Sequence, residues 1–178
     1  MAQETEAALI AKAQQDPAAF RGIYREYVDR IFYYVLSRSD SRADAEDITA
    51  QVFLDASENL PGYRHRGYFA AWLFTLARHR IADFYRKRQP ERAIEERELA
   101  ARGEDLLAKT IQQENLKRLQ RLLAQLTEEE RELLRLRFAG GLKFAEIAAL
   151  LGRKESAVKM SYYRLLERLK SQMEVGDA

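Results

Sequence analysis

The chain has 178 residues, enough for one ordinary domain or two small ones with modest cores. It contains no cysteine, which excludes disulfides and thiolate metal or redox sites and suits a reducing interior. The formal net charge is only +2, but it alternates: residues 1–60 carry −5, residues 61–90 carry +6, residues 91–130 carry −3 and residues 131–178 carry +4. Two basic blocks between acidic ones point to two contacts on a polyanion, with acidic surfaces left for other partners; any single block alone is more readily explained as a solvated helix face.

From the N-terminus, Met1 to Gln15 carries Glu4 and Glu6 and lacks the basic start and apolar run of a signal peptide. No stretch approaches the ~20 apolar residues of a membrane span, so a soluble, cytoplasmic chain without membrane insertion is expected. Asp16-Pro17 reads as a helix cap and first helical position. Phe20, Ile23, Tyr24, Tyr27, Val28, Ile31, Phe32, Val35 and Leu36 follow in steps of three and four, predicting a long amphipathic helix. A second helix is predicted from about Asp40 or Ser41 to Asn59, burying Ile48, Val52 and Ala56. Pro61-Gly62 breaks it, and the loop Tyr63-Arg64-His65-Arg66-Gly67 leads to a third helix from about Tyr68 to Arg88.

Pro90 is expected to end that helix and open a charged linker, Glu91 to Thr110, with little apolar periodicity. Helical spacing returns from Ile111 with Leu116, Leu119, Leu122, Leu123 and Leu126. Thr127 with Glu130 fits a capping box, and Gly140-Gly141 ends the helix it opens. No segment alternates with a period of two, so an all-α fold is predicted: two small helical domains joined by a linker.

Residues 143–170 have a helix-turn-helix layout. Ala148 supplies the small residue where two helices cross, Ile147 and Leu151 point to a core, and Gly152 suits a left-handed turn. Val158 and Leu165 or Leu166 anchor the second helix. Its other face presents Lys154, Ser156, Lys159, Tyr163 and Arg164, residue types that bond phosphates and base edges in a major groove. An ordinary helical hairpin is the plainer reading of the same pattern.

In the basic block 61–90, Thr75, Arg78, His79 and Arg86 form a polar face opposite Phe69, Trp72, Leu73, Leu76 and Phe84, which read as core more readily than as base platforms. Tyr63, Arg64, His65 and Arg66 place rings and charge on a loop, where packing explains them poorly; this combination suits single-stranded nucleic acid. On the second helix Asp44, Asp47, Gln51 and Asp55 are expected to share an acidic face beside an exposed Phe53, fitting a basic partner helix or a solvated surface.

Together these motifs resemble the extracytoplasmic-function (ECF) sigma factors of the sigma-70 family, across most of the chain outside the linker. Asp44 through Phe53 resembles the helix that docks on the clamp coiled coil of RNA polymerase. Phe69-Ala70-Ala71-Trp72-Leu73 with Ala77 through Asp83 is similar to the minus-ten recognition helix. Leu126 through Leu136, Gly141, Glu146-Ile147-Ala148, Leu151-Gly152 and Ala157-Val158-Lys159 are similar to the minus-thirty-five domain. The resemblance implies a region 2-like domain over 1–90, an acidic linker over 91–115, of which Glu91 to Asp105 would run through the polymerase channel, and a region 4-like helix-turn-helix domain over 116–178. It implies as partners core RNA polymerase, through clamp and flap, promoter DNA as duplex and as melted non-template strand, and an anti-sigma factor. Asp44, Asp47, Gln51 and Phe53 would meet the polymerase. Tyr63, Arg64, His65, Arg66, Thr75, Arg78, His79 and Arg86 would meet the minus-ten element, and Lys154, Ser156, Lys159, Tyr163 and Arg164 the minus-thirty-five element. His79 stands where the family often has Asn, Lys154 where a Ser or Thr cap is common, and Ala157 with the run Met160-Ser161-Tyr162-Tyr163 is also atypical; these departures bear on which promoter is read.

Two other classes compete. A dimeric helix-turn-helix regulator would bind duplex operators without polymerase. A helical nuclease would need clustered carboxylates or histidines; His65 and His79 are the only histidines, and Asp44 with Asp47 lacks a third ligand. No catalytic residue, metal or cofactor is therefore expected.

Overall fold

The structure, a computed structural model, describes residues 5–64, 67–99, 119 and 121–174. Among these there is no strand, in keeping with the all-α expectation. Seven named helices organise them: α1 Glu6–Gln15, α2 Phe20–Leu36, α3 Arg42–Asn59, α4 Phe69–Leu99, α5 Glu128–Leu134, α6 Phe144–Leu151 and α7 Glu155–Glu174.

The caps explain why the chain turns where it does. Asp16 accepts the Ala18 N–H at 2.9 Å and starts the 3-10 turn Pro17–Ala19 that feeds α2, and Ser41 accepts the Asp44 N–H at 3.0 Å to open α3. The Thr127–Glu130 capping box forms as its spacing predicts: Thr127 Oγ1 accepts from Glu130 N and Glu130 Oε2 from Thr127 N. The Thr127 N–H, set against the cost of burial and helped by Arg168, holds the Glu130 carboxyl below its ordinary value.

Helix α1 has no counterpart among the elements that spacing predicts. It buries Ile10 and Ala13, and Tyr27 of α2 donates its hydroxyl to Glu6. Gln14 Nε2 donates to the carbonyls of Leu60 (3.0 Å) and Tyr63 (2.6 Å), so this helix fixes the entry to the cationic loop. Gly22 permits the approach, because a Cβ there would meet Leu9 Cδ1 at 2.5 Å.

Pro90 does not end α4, which continues to Leu99. A proline inside a helix lacks one N–H donor and crowds the preceding turn, at about 3 kcal/mol. The residues after it, Glu-Arg-Ala-Ile-Glu-Glu-Arg-Glu-Leu, are strong helix formers that offset this cost. The remainder of the expected linker lies largely outside the described residues.

The core begins with Ile23, Tyr27, Ile31 and Val35 of α2, Ile48 and Val52 of α3, and Phe69, Leu73, Phe74 and Ile81 of α4. It continues without a break into Leu133, Leu136, Leu142, Ile147 and Val158 of the C-terminal half. The two halves are therefore packed together. They meet tightly at Gly140, which follows the π-helical turn Arg135–Ala139; a Cβ there would lie 2.6 Å from the Phe74 ring.

Candidate polymerase and promoter interfaces

Helix α3 sorts its acidic residues onto two sides. Asp44 pairs with Arg88 at 2.6 Å and Asp55 with Arg80, so these two carboxylates fasten α3 to α4. Asp47 and Gln51 face solvent, and with Leu54 (51% exposed) and Glu58 they recur at steps of four, three and four along one ridge. Phe53 does not belong to that ridge: it is 4% exposed, with its ring edge-on to Tyr24 at 4.8 Å and Phe20 at 6.5 Å. The reason is helical phase, since Thr49, Phe53 and Ala56 follow one another on the buried side while Leu54 falls outside it.

The loop after α3 and the start of α4 enclose a cleft of about 460 Å³, lined by Gly62, Tyr63, Arg64, Tyr68, Ala71, Trp72 and, from the C-terminal half, Ala149. Tyr63 and Trp72 are half-buried with ring centroids 4.7 Å apart, and Tyr68 is 43% exposed. Phe69 packs fully into the core beneath them, as expected of it. A flat, aromatic-edged recess beside Arg64 suits an unstacked base. Stacking in such a place contributes about 1–3 kcal/mol. His65 and Arg66 lie outside the described residues. Sequence reasoning missed Tyr68 and Gln14; Tyr68 sits at the loop's end, where ring content alone could have flagged it.

Along α4, Trp72, Thr75, His79, Ala82 and Arg86 form one stripe by helical spacing. His79 and Arg86 are exposed, and Arg86 pairs with Asp83 at 2.8 Å. Thr75 spends its hydroxyl on the Ala71 carbonyl at 2.8 Å, which leaves it a weak donor to any ligand. Arg78 stands off the stripe and meets Glu132 of α5 at 3.3 Å. The same carboxylate accepts from the Tyr34 hydroxyl at 2.7 Å and from Arg38 at 3.0 Å. Burial first, then the Glu132 charge, pushes the Tyr34 phenol far above its ordinary value, so it remains a donor. Burial works against the Arg38 charge, but Tyr34 and Glu132 outweigh it and hold the guanidinium above its usual value. A second tie joins the halves: Arg30 donates to the Gly140 carbonyl at 3.0 Å and lies 3.5 Å from Glu146.

The C-terminal half forms the expected helix-turn-helix. Gly152 sits at φ 64° between α6 and α7, in the left-handed region that favours glycine. Ile147 and Ala148 are buried, and Leu151 is half-buried. On α7, Val158, Tyr162, Leu165 and Leu169 face inward. Lys154, Ser156, Lys159, Tyr163 and Arg164 are all exposed, as the sequence predicts. Ser156, Met160, Tyr163 and Glu167 form one exposed ridge by helical spacing; Met160, 52% exposed, was missed. Glu155 pairs with Lys159 at 2.7 Å and holds its ammonium above the usual value. Among the described residues no group of three or more His, Cys, Asp or Glu could hold a metal ion, and no helix is long and apolar enough to cross a membrane.

Fold and surface define an all-α helix-turn-helix protein with a second, aromatic-edged cationic surface. Residues 23–91 match the model of sigma-70 region 2, and residues 116–169 that of sigma-70 region 4. The chain is 34% identical over 139 residues to the ECF RNA polymerase sigma factor ShbA of Streptomyces griseus, covering 74% of this chain and 73% of that one. It is 30% identical over 169 residues to BldN of Streptomyces coelicolor, covering 90% and 63%, and 34% identical over 139 residues to SigD of Mycobacterium tuberculosis, covering 75% and 65%. The chain thus spans just under two thirds of the length of BldN and SigD. Its fold is like that of CnrH, solved in complex with the cytosolic domain of CnrY, at TM-score 0.64 and 21% identity over 94% of this chain and 96% of that one. It is also like that of the sigma factor RpoE of Bartonella quintana, solved with the anti-sigma factor NepR, at TM-score 0.56 and 22% identity over 88% and 97%. The chain belongs to the ECF sigma factors of the sigma-70 family.

Proposed function

We propose that this chain is an initiation subunit of bacterial RNA polymerase: it binds the core enzyme, directs it to a promoter and helps open the duplex. The observation that carries this reading is the presence, on one chain with region 2 and region 4 matches, of an acidic ridge, an aromatic-edged cleft and an exposed recognition helix. Asp47, Gln51 and Leu54 dock on the clamp coiled coil, and the C-terminal half contacts the flap. Tyr63, Arg64, Tyr68 and Trp72 receive an unpaired base of the non-template strand, with His79 and Arg86 along its path. Extruding a base costs a few kcal/mol, which stacking in the cleft offsets in part. Lys154, Ser156, Lys159, Tyr163 and Arg164 read the upstream duplex. Sigma factors are regulatory subunits rather than enzymes, so the chemistry belongs to the polymerase. CnrH and RpoE are held by protein partners in their solved structures, which supports an anti-sigma factor for this chain too, acting in the cytoplasm.

The test is DNase footprinting on genomic fragments. The expected result is two protected patches about 25 base pairs apart, roughly 85 Å of duplex, only when chain and core enzyme are both present. A paired operator footprint from the free chain, unchanged by polymerase, would instead favour a dimeric regulator.

A further inference from the structure

Three donors of the N-terminal half converge on one carboxylate from the C-terminal half. The Tyr34 hydroxyl, Arg38 and Arg78 lie 2.7, 3.0 and 3.3 Å from the oxygens of Glu132. Tyr34 is fully buried and Glu132 is 6% exposed, so the pairing takes place largely out of water. If the halves part, two guanidinium groups and a phenol O–H are left around a space of anion size. Such a site, stripped of its carboxylate, favours another anion of the same reach. A phosphodiester presents paired oxygens as a carboxylate does, and arginine meets both with the same planar fork. Arg78 lies about 9 Å along α4 from Trp72 at the base cleft and about a third of a turn round the helix from it.

We propose that Tyr34, Arg38 and Arg78 form a phosphate site for the melted promoter strand, and that Glu132 occupies it in the closed chain as an internal competitor. This rests on the promoter reading above. Two further features agree with it. Ala149 of the C-terminal half lines one side of the Tyr63–Trp72 cleft, so the closed chain sets its C-terminal half against the base site as well. And a compact body of this length has a radius of gyration of about 16 Å, whereas the two promoter elements stand roughly 85 Å apart. The halves cannot occupy both elements while the Glu132 contact holds; opening must exchange the carboxylate for DNA. A cleft of about 370 Å³, lined by Arg38, Arg78 and Arg153 with Glu128, Glu129 and Glu132, gives an incoming phosphate its approach.

The full-length chain permits a direct test, because it has no cysteine. Ser57→Cys with Ser171→Cys, both exposed, places a dye pair across the halves. Glu132→Gln should lower energy transfer in the free chain and raise its affinity for a single-stranded minus-ten oligonucleotide about tenfold, since a larger fraction is then binding-competent. Arg38→Ala in the Glu132→Gln background should weaken that binding and flatten the slope of log affinity against log salt by about 0.7, one single-strand phosphate contact. Arg30→Ala, which loosens the Gly140 tie without touching the anion site, should also raise affinity and serves if Glu132→Gln fails to fold. Unchanged energy transfer and affinity in the variants would overturn the competitor role, and an unchanged salt slope in Arg38→Ala would overturn the phosphate site. Failure of the unaltered chain to direct core enzyme to any promoter would instead strike at the promoter reading itself.

Discussion

Asp44 and Asp47 stand three residues apart on α3 and meet different fates. Asp44 is drawn against Arg88 of α4, whereas Asp47 faces solvent on the Asp47–Gln51–Leu54 ridge. Asp47→Arg should therefore weaken association with core polymerase by tenfold or more, about 1.4 kcal/mol, without moving the melting temperature. Asp44→Ala should do the reverse, costing about 1 kcal/mol of stability because its partner remains partly exposed, and leaving polymerase affinity nearly intact. Titration of labelled chain with core enzyme, beside thermal unfolding, separates the two; equal loss of affinity in both variants would refute the sorting. Composition made the acidic face legible, but not which acid points outward. Phe53 shows why: beside Val52, either the apolar neighbour or the acidic stretch could set its direction, and only the packing of Phe20 and Tyr24 decides for the interior.

At the scale of elements, periodicity and end signals were reliable where both were strong. Helix α2, helix α3, the Thr127 capping box and the Gly152 turn stand where spacing placed them. Two elements escaped. Helix α1 is short and rich in Ala and Gln, so its apolar face is nearly silent until Gly22 lets it approach α2. Helix α4 passes through Pro90 because the penalty is local while the following residues favour helix throughout. The recognition helix carries its own prediction. Lys159→Ala with Arg164→Ala should weaken upstream protection by the polymerase complex and reduce the salt slope by about 1.8, two duplex phosphate contacts. Footprints titrated at several salt concentrations measure this, and an unaltered slope would assign these side chains to the rim.

At the scale of the whole molecule, the alternation of charge was visible from the first count, and it anticipates two cationic surfaces. The contact between the halves was not. Glu132, Arg38 and Arg30 read in sequence as ordinary solvated charges, since nothing local marks a carboxylate whose three partners lie 54 to 98 residues away. Phe74 and Gly140 meet in the same way, through a fit that neither segment displays alone. The contacts that join the halves bring together segments far apart in the chain, so they belong to the stability of the closed form and to no single local pattern.

Run-off transcription with purified core polymerase, with and without the chain, decides whether the chain acts as an initiation subunit. Transcripts from discrete start sites should appear only when the chain is added, and Asp47→Arg should reduce them at limiting concentrations of chain. Transcription that is the same with and without the chain on every fragment would contradict it.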